Sequence, residues 1–273
     1  MLRQTTRADV HLPTVLAIGV VSFAAVTVIH EAGGHGLACE LVGGEALAVS
    51  STELRCDVPQ DGARLAVTAA GSIANILVGL AAMAAGTALG PARGVWSYGL
   101  WLFGVTNLFH AGMYMLIGPL TGFGDWSSVA RNLEPQLVWV VGITAVGYGV
   151  NVVGSRLARR PEWQPLAGID EEEREVRIRL LTRLPLAAAL VVSLAAGLLS
   201  SLQPRYALVT SLIAPLVLLL LVRLPGWPER DPPEPPVRIA SWAWVVAGAV
   251  VGLGFVLVLG PGLGPFAGYS IAR

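Results

Sequence analysis

Seven stretches of this chain are each about as long as a bilayer is thick and nearly free of charge: residues 13–38, 63–90, 95–118, 135–156, 180–201, 204–224 and 238–260. A hydrocarbon core about 30 Å thick is crossed by roughly 20 helical residues. A segment in lipid must satisfy its own backbone hydrogen bonds, which leaves the helix as its only open form. A soluble domain carries about 25% charged residues; here 13% are charged and 54% apolar. The sequence therefore predicts an all-α polytopic membrane protein of about seven transmembrane helices. Formal net charge is zero, so nothing favours a nucleic-acid partner. The partner that the composition demands is the lipid bilayer. The first apolar run is long and holds polar residues near its end, so it reads as a retained span and not a cleaved signal.

All 18 basic residues are arginine. With a cytoplasmic N-terminus, 13 of them fall inside and 5 outside, which is the expected bias for a multi-pass protein of the cell membrane. The 39–62 loop then lies outside. It holds the chain's two cysteines, Cys39 and Cys56, which form one disulfide on an oxidising side or stay as two buried thiols. Within it, Glu53 to Val58 alternates in polarity and reads as a short strand with Leu54, Cys56 and Val58 on one face. Ala46 to Ser51 is its partner, giving a small hairpin over 44–58. Further on, the linker 157–179 is charged: Asp170 to Glu173, then Arg174, Arg177 and Arg179. Acid in the first turn and base beyond it suit the helix dipole, so this stretch reads as a solvated helix leading into the fifth span. Gly248 and Gly252 form a small-xxx-small pair suited to close helix packing. The tryptophans fall mostly near span ends, as interface anchors do.

One span carries chemistry. His30-Glu31-Ala32-Gly33-Gly34-His35 uses two of the four histidines with a glutamate between them. Ionisable residues inside a span are costly and mark function. Two imidazoles beside a carboxylate are the donor set of a hydrolytic zinc site, where the carboxylate takes a proton from an activated water. The usual spacing is H-E-x-x-H; this is H-E-x-x-x-H. Residues four apart on an α-helix lie about 40° from one face, whereas residues five apart lie about 140° off. A straight helix would splay His30 from His35. Either a π-turn closed by i→i+5 bonds brings them together, or Gly33-Gly34 loosens the helix enough for His35 to swing in.

A later span opens with Ala70-Gly71-Ser72-Ile73-Ala74-Asn75. With His30-Glu31 and His35 before it, this order resembles the site-2 protease family of intramembrane zinc metalloproteases, in a divergent HExxxH form. The likeness covers about residues 20–130, and Ser72 stands where the family commonly has proline. The resemblance implies zinc held by His30, His35 and a later aspartate, with Glu31 activating water. The family's N-x-x-P-x-x-x-L-D-G string is absent. Asn107 is followed by Pro119 and Thr121, with threonine where the aspartate would stand. Asp125 is the candidate third ligand, because Gly122 and Gly124 allow a tight turn that aims a carboxylate inward. His110 is its rival. Asn75 and Asn107 either meet substrate backbone or an oxyanion, or make hydrogen bonds between helices.

This reading divides the chain into a metal-binding core, residues 1–130 with the hairpin, and a four-span module, 131–273, that packs or binds a partner in a membrane complex. The expected activity is hydrolysis of membrane-anchored peptide or protein substrates, with an extended substrate pairing to the 53–58 strand. The alternative is a catalytically inactive, protease-like scaffold or complex subunit, which the altered strings favour. The arginine count places the histidine pair near the outer face, whereas the family usually opens its site toward the cytoplasm.

Overall fold

The computed structural model describes residues 9–90, 94–166, 171–200, 207–212, 215 and 236–264. Among them six helices are long and apolar enough to cross a membrane: Leu12–Leu41, Gly62–Leu89, Val95–Thr121, Gln136–Ala158, Arg174–Leu198 and Trp242–Leu259. The expected span 204–224 lies mostly outside the described residues. The chain is thus a mostly helical, polytopic membrane protein with one small antiparallel sheet.

Helix α1 (Leu12–Val28) runs into a π-helical stretch, Ile29–Gly36, and then α2 (Leu37–Leu41). Strands β1 (Glu45–Val49) and β2 (Leu54–Asp57) follow, then α3 (Asp61–Leu89), α4 (Val95–Thr121), the short α5 (Asp125–Arg131) and α6 (Gln136–Ala158). A 3-10 turn at Pro161–Leu166 leads to α7 (Glu171–Leu198), and α8 (Trp242–Gly254) closes with a second π stretch, Phe255–Leu259. Helix α4 is the most enclosed, flanked by α3 and α6, while α7 and α8 pack on α1. Helices α6 and α8 present most of their apolar surface outward, including Leu137, Val141, Val246 and Val250. That is the surface that lipid covers. The small-residue pair acts as expected: a Cβ on Gly248 would lie 2.5 Å from that of Ala17, so α8 meets α1 almost backbone to backbone.

The hairpin pairs Glu45 with Asp57, Ala46 with Cys56, Ala48 with Arg55 and Val49 with Leu54, with an irregularity between Ala46 and Ala48. An isolated two-stranded hairpin is marginal in water, and this one is tied down on both sides. A Cys39–Cys56 disulfide joins β2 to α2. On the other side Val49 and Leu263 exchange backbone hydrogen bonds of 2.9 and 2.7 Å, and the Ser51 N–H donates to the Leu259 carbonyl at 2.9 Å. The last span is thereby tied to the loop after the first.

Two expectations need correction. The charged linker is not a wholly solvated helix: Arg177 is fully buried, and its guanidinium donates to the Leu166 carbonyl at 2.7 Å and to that of Val237. A buried guanidinium is tolerated only when its N–H groups find acceptors, and the ends of two neighbouring segments supply them. Nor are all the tryptophans interface anchors. Trp96 and Trp242 are exposed, but Trp101 and Trp163 are core residues, and the Trp101 indole donates to the Ala158 carbonyl at 3.1 Å.

Candidate metal centre

The first span changes its winding at the motif. Residues Ile29–Gly36 are π-helical, with ordinary α-helix on both sides. Of the two ways to bring residues five apart onto one face, the backbone takes the i→i+5 turn. The His30 and His35 rings lie 4.7 Å apart, nearly perpendicular at 88°. Both are buried.

The room for them comes from α3. A Cβ on Gly71 would lie 2.6 Å from His35 Nε2 and 2.8 Å from His30 Nε2, and one on Gly34 would lie 2.4 Å from the Gly71 Cα. The two motifs seen in the sequence therefore meet at their glycines, and the imidazoles rest against the bare backbone at Gly71.

Hydrogen bonds fix which nitrogen of each ring is free. His35 Nδ1 lies 2.7 Å from the Val67 carbonyl. A carbonyl only accepts, so Nδ1 carries the proton. His30 Nδ1 lies 3.0 Å from Asn75 Oδ1. The Asn75 amide nitrogen donates to the Val26 carbonyl at 3.2 Å and to Asn107 Oδ1 at 2.9 Å, and Asn107 in turn donates to the Phe103 carbonyl at 2.8 Å. With backbone carbonyls at its ends, this chain has one polarity, and His30 Nδ1 is a donor too. Both Nε2 atoms are left to face Asp125, whose Oδ2 lies 3.0 Å from His30 Nε2 and 3.4 Å from His35 Nε2. One donor atom from each of the three residues falls within 4.8 Å of the others.

Two neutral Nε2 lone pairs aimed at a carboxylate repel it. The arrangement holds only with protons on Nε2 or a cation between the three groups. A tetrahedral ion with bonds of about 2.0–2.1 Å needs ligand atoms about 3.4 Å apart, close to the 3.0 and 3.4 Å that separate Asp125 Oδ2 from the two Nε2 atoms. Donation by the far imidazole nitrogen to a carbonyl or amide oxygen is how metal-binding histidines are oriented. The residues fit a divalent metal ion.

Asp125 reaches the site from α5. Gly122 and Gly124, both at positive φ (74° and 77°), turn the chain back after α4. Burial pushes its carboxyl up, but with protons on both Nε2 atoms the hydrogen bonds and charge of His30 and His35 outweigh it and hold Asp125 well below the usual carboxylate range. The rival ligand, His110, is not in the converging group. It stacks on Tyr114 (4.7 Å between centroids) and flanks the His30 ring at 5.2 Å. Asn75 and Asn107 are fully buried and make hydrogen bonds between helices; neither is among the residues that line the cavity.

The cavity has a volume of about 330 Å³. His30, Glu31, His35, Tyr114 and Asp125 form its floor; Thr52, Glu53, Leu54, Cys56 and Val58 of the hairpin form its roof, with Arg64 also lining it. Glu31 shares this space with the three converging groups. Glu53 pairs with Arg55 at 3.3 Å; burial nonetheless raises its carboxyl above the ordinary range. Sequence reasoning missed the Val67 carbonyl, which carries no side-chain signal, and the bond from Trp126 to Ser72, whose one clue is that Trp126 directly follows Asp125. No protein-family model, curated protein or solved structure matches this chain.

Proposed function

We propose that this chain is an intramembrane zinc metalloprotease of the site-2 protease type, acting on membrane-anchored polypeptides in the cell membrane. The observation that carries the reading is the convergence of two imidazole Nε2 atoms, each oriented by a bond at its Nδ1, on one aspartate beside Glu31. His30, His35 and Asp125 would hold the ion, and zinc suits two nitrogens and an oxygen with a fourth position open. Zinc bound there supplies a water acidified to a pKa of about 7 and an electrophile for the scissile carbonyl. Glu31 accepts the water's proton and returns it to the departing amide nitrogen, so that one water adds across the bond and leaves a carboxylic acid and an amine. The buried site limits access of bulk water. Strand β2 lines the cavity, and among the described residues β1 is its one strand neighbour, which suits pairing of an extended substrate along its other edge by β-addition. The arginine bias and the Cys39–Cys56 disulfide both favour a cytoplasmic N-terminus and a site near the outer face.

The test is cleavage of single-span reporter polypeptides co-reconstituted in vesicles. Glu31→Gln should keep one zinc per chain and cut roughly 10²- to 10⁴-fold more slowly, the usual worth of a general base. Unchanged cleavage would exclude the catalytic role of Glu31. The second reading, a metal-binding scaffold without hydrolysis, is favoured by Ser72 and Thr121 at positions where the family has proline and aspartate. It predicts bound zinc and no cleavage in the unmodified protein.

A further inference from the structure

Of the three converging residues, Asp125 alone lies outside the membrane-spanning helices. It stands at the start of a seven-residue helix, behind two glycines in the left-handed region. Such a turn gives direction but little stiffness. The loop itself is held by the Gly118 carbonyl, which accepts from the N–H groups of Gly122 at 3.0 Å and Phe123 at 3.3 Å; neither bond reaches the metal site. Beyond its own contacts with the imidazoles, Asp125 is tied to the helix beneath them through the residue after it. The Trp126 ring is buried in a small apolar cluster with Met115, Val129 and Ile143. Its indole N–H donates to Ser72 Oγ at 2.8 Å, and Ser72 is 1% exposed. Ser72 adjoins Gly71, the backbone against which both imidazoles rest.

We propose that the Ser72–Trp126 hydrogen bond is a latch that positions the third metal ligand, making Ser72 and Trp126 positioning residues that set how tightly the site holds a divalent metal ion. This rests on reading His30, His35 and Asp125 as ligands. Packing alone would keep the Trp126 ring in its cluster but let it slide. The indole N–H is the ring's only donor, and a buried donor left unmade is costly, so the bond selects one placement of the ring relative to Gly71. Because Asp125 and Trp126 are adjacent on a single helical turn, fixing the ring fixes the carboxylate before an ion arrives. Ordering that would otherwise oppose binding is already complete. A proline at position 72 would have neither hydroxyl nor amide N–H, so this chain's departure from the resembled pattern is what makes the contact.

Cobalt(II) titration of the full-length protein in detergent tests the latch, because the visible spectrum reports coordination geometry while the titration gives Kd. Ser72→Ala and Trp126→Phe should each weaken Kd by roughly 10- to 100-fold, the usual effect of losing a group that orients a ligand. They should also alter the spectrum, and the double variant should be no weaker than the worse single one. Trp101→Phe removes a similar indole bond, to the Ala158 carbonyl, and should leave Kd and spectrum unchanged. Should Trp126→Phe fail to fold, Ser72→Ala deletes one oxygen only and carries the test. Unmodified protein that binds one cobalt, with Ser72→Ala binding equally well, overturns the latch alone. A Trp101→Phe loss equal to that of Ser72→Ala also overturns it, since the effect would then be general loosening. Unmodified protein that binds no ion overturns both the latch and the metal reading.

Discussion

At the end of the bundle where α4 begins, three large buried side chains end on backbone carbonyls: Tyr98 on Leu181, Trp101 on Ala158, Arg177 on Leu166 and Val237. At the hairpin end, buried polar side chains answer one another: Asn107 to Asn75, Asn75 to His30, His30 and His35 to Asp125, Trp126 to Ser72. The first pattern closes a structure, because a donor that meets a carbonyl is satisfied. The second leaves two Nε2 atoms and a carboxylate that the protein alone satisfies only by holding extra protons. In a membrane, where unpaired polarity is expensive, such an arrangement suits a bound cation. The two ends should therefore respond to mutation in opposite ways, one in folding and the other in metal affinity.

The largest separation is expected from Arg177→Met. It leaves the Leu166 and Val237 carbonyls without their partner, and two orphaned buried acceptors cost about 3–4 kcal/mol. Unfolding of the detergent-solubilised protein should show that loss with zinc content unchanged; a fall in zinc per folded chain would break the contrast. Replacing Cys39 and Cys56 together by serine should cost about 3 kcal/mol, the usual value for a closed loop of roughly this length. This effect belongs to the hairpin end but falls on the roof of the site, so it should lower reporter cleavage in vesicles more than zinc affinity. Gly71→Ala should cost about 1–3 kcal/mol by overpacking. Because the new methyl meets both imidazoles, the loss should appear as weaker zinc binding in titration. Asn107→Ala is the mildest, about 1 kcal/mol. It removes the acceptor that orients the Asn75 amide, so zinc affinity should fall without loss of the ion's coordination geometry. A stability loss with unchanged zinc affinity in either of the last two would erase the distinction between the ends.

Much of this was legible before any coordinates. Apolar runs marked the helices because lipid imposes one solution on the backbone. The five-residue spacing of His30 and His35 demanded a distorted helix, and a π-turn was one of only two remedies that kept both rings on one ion. Gly122 and Gly124 marked Asp125 as able to turn inward. What stayed hidden were pairings between distant residues with no periodic trace. Arg177 looks like any other arginine of a charged linker until the Leu166 and Val237 carbonyls are seen around it. Asn75 and Asn107 carry no sign in the sequence of which groups they meet, and only the fold brings Asn75 to His30 and Val26. The Ser72–Trp126 bond spans 54 positions and follows no motif.

X-ray absorption at the zinc edge of the purified full-length protein, with zinc counted per chain, tests the central claim most directly. One ion per chain is expected, with two imidazole nitrogens and carboxylate oxygen in its shell, and with the signal lost in His35→Ala. Zinc absent from the unmodified protein, or retained with the same shell in His35→Ala, would show that the π-turn does not gather His30 and His35 onto one ion.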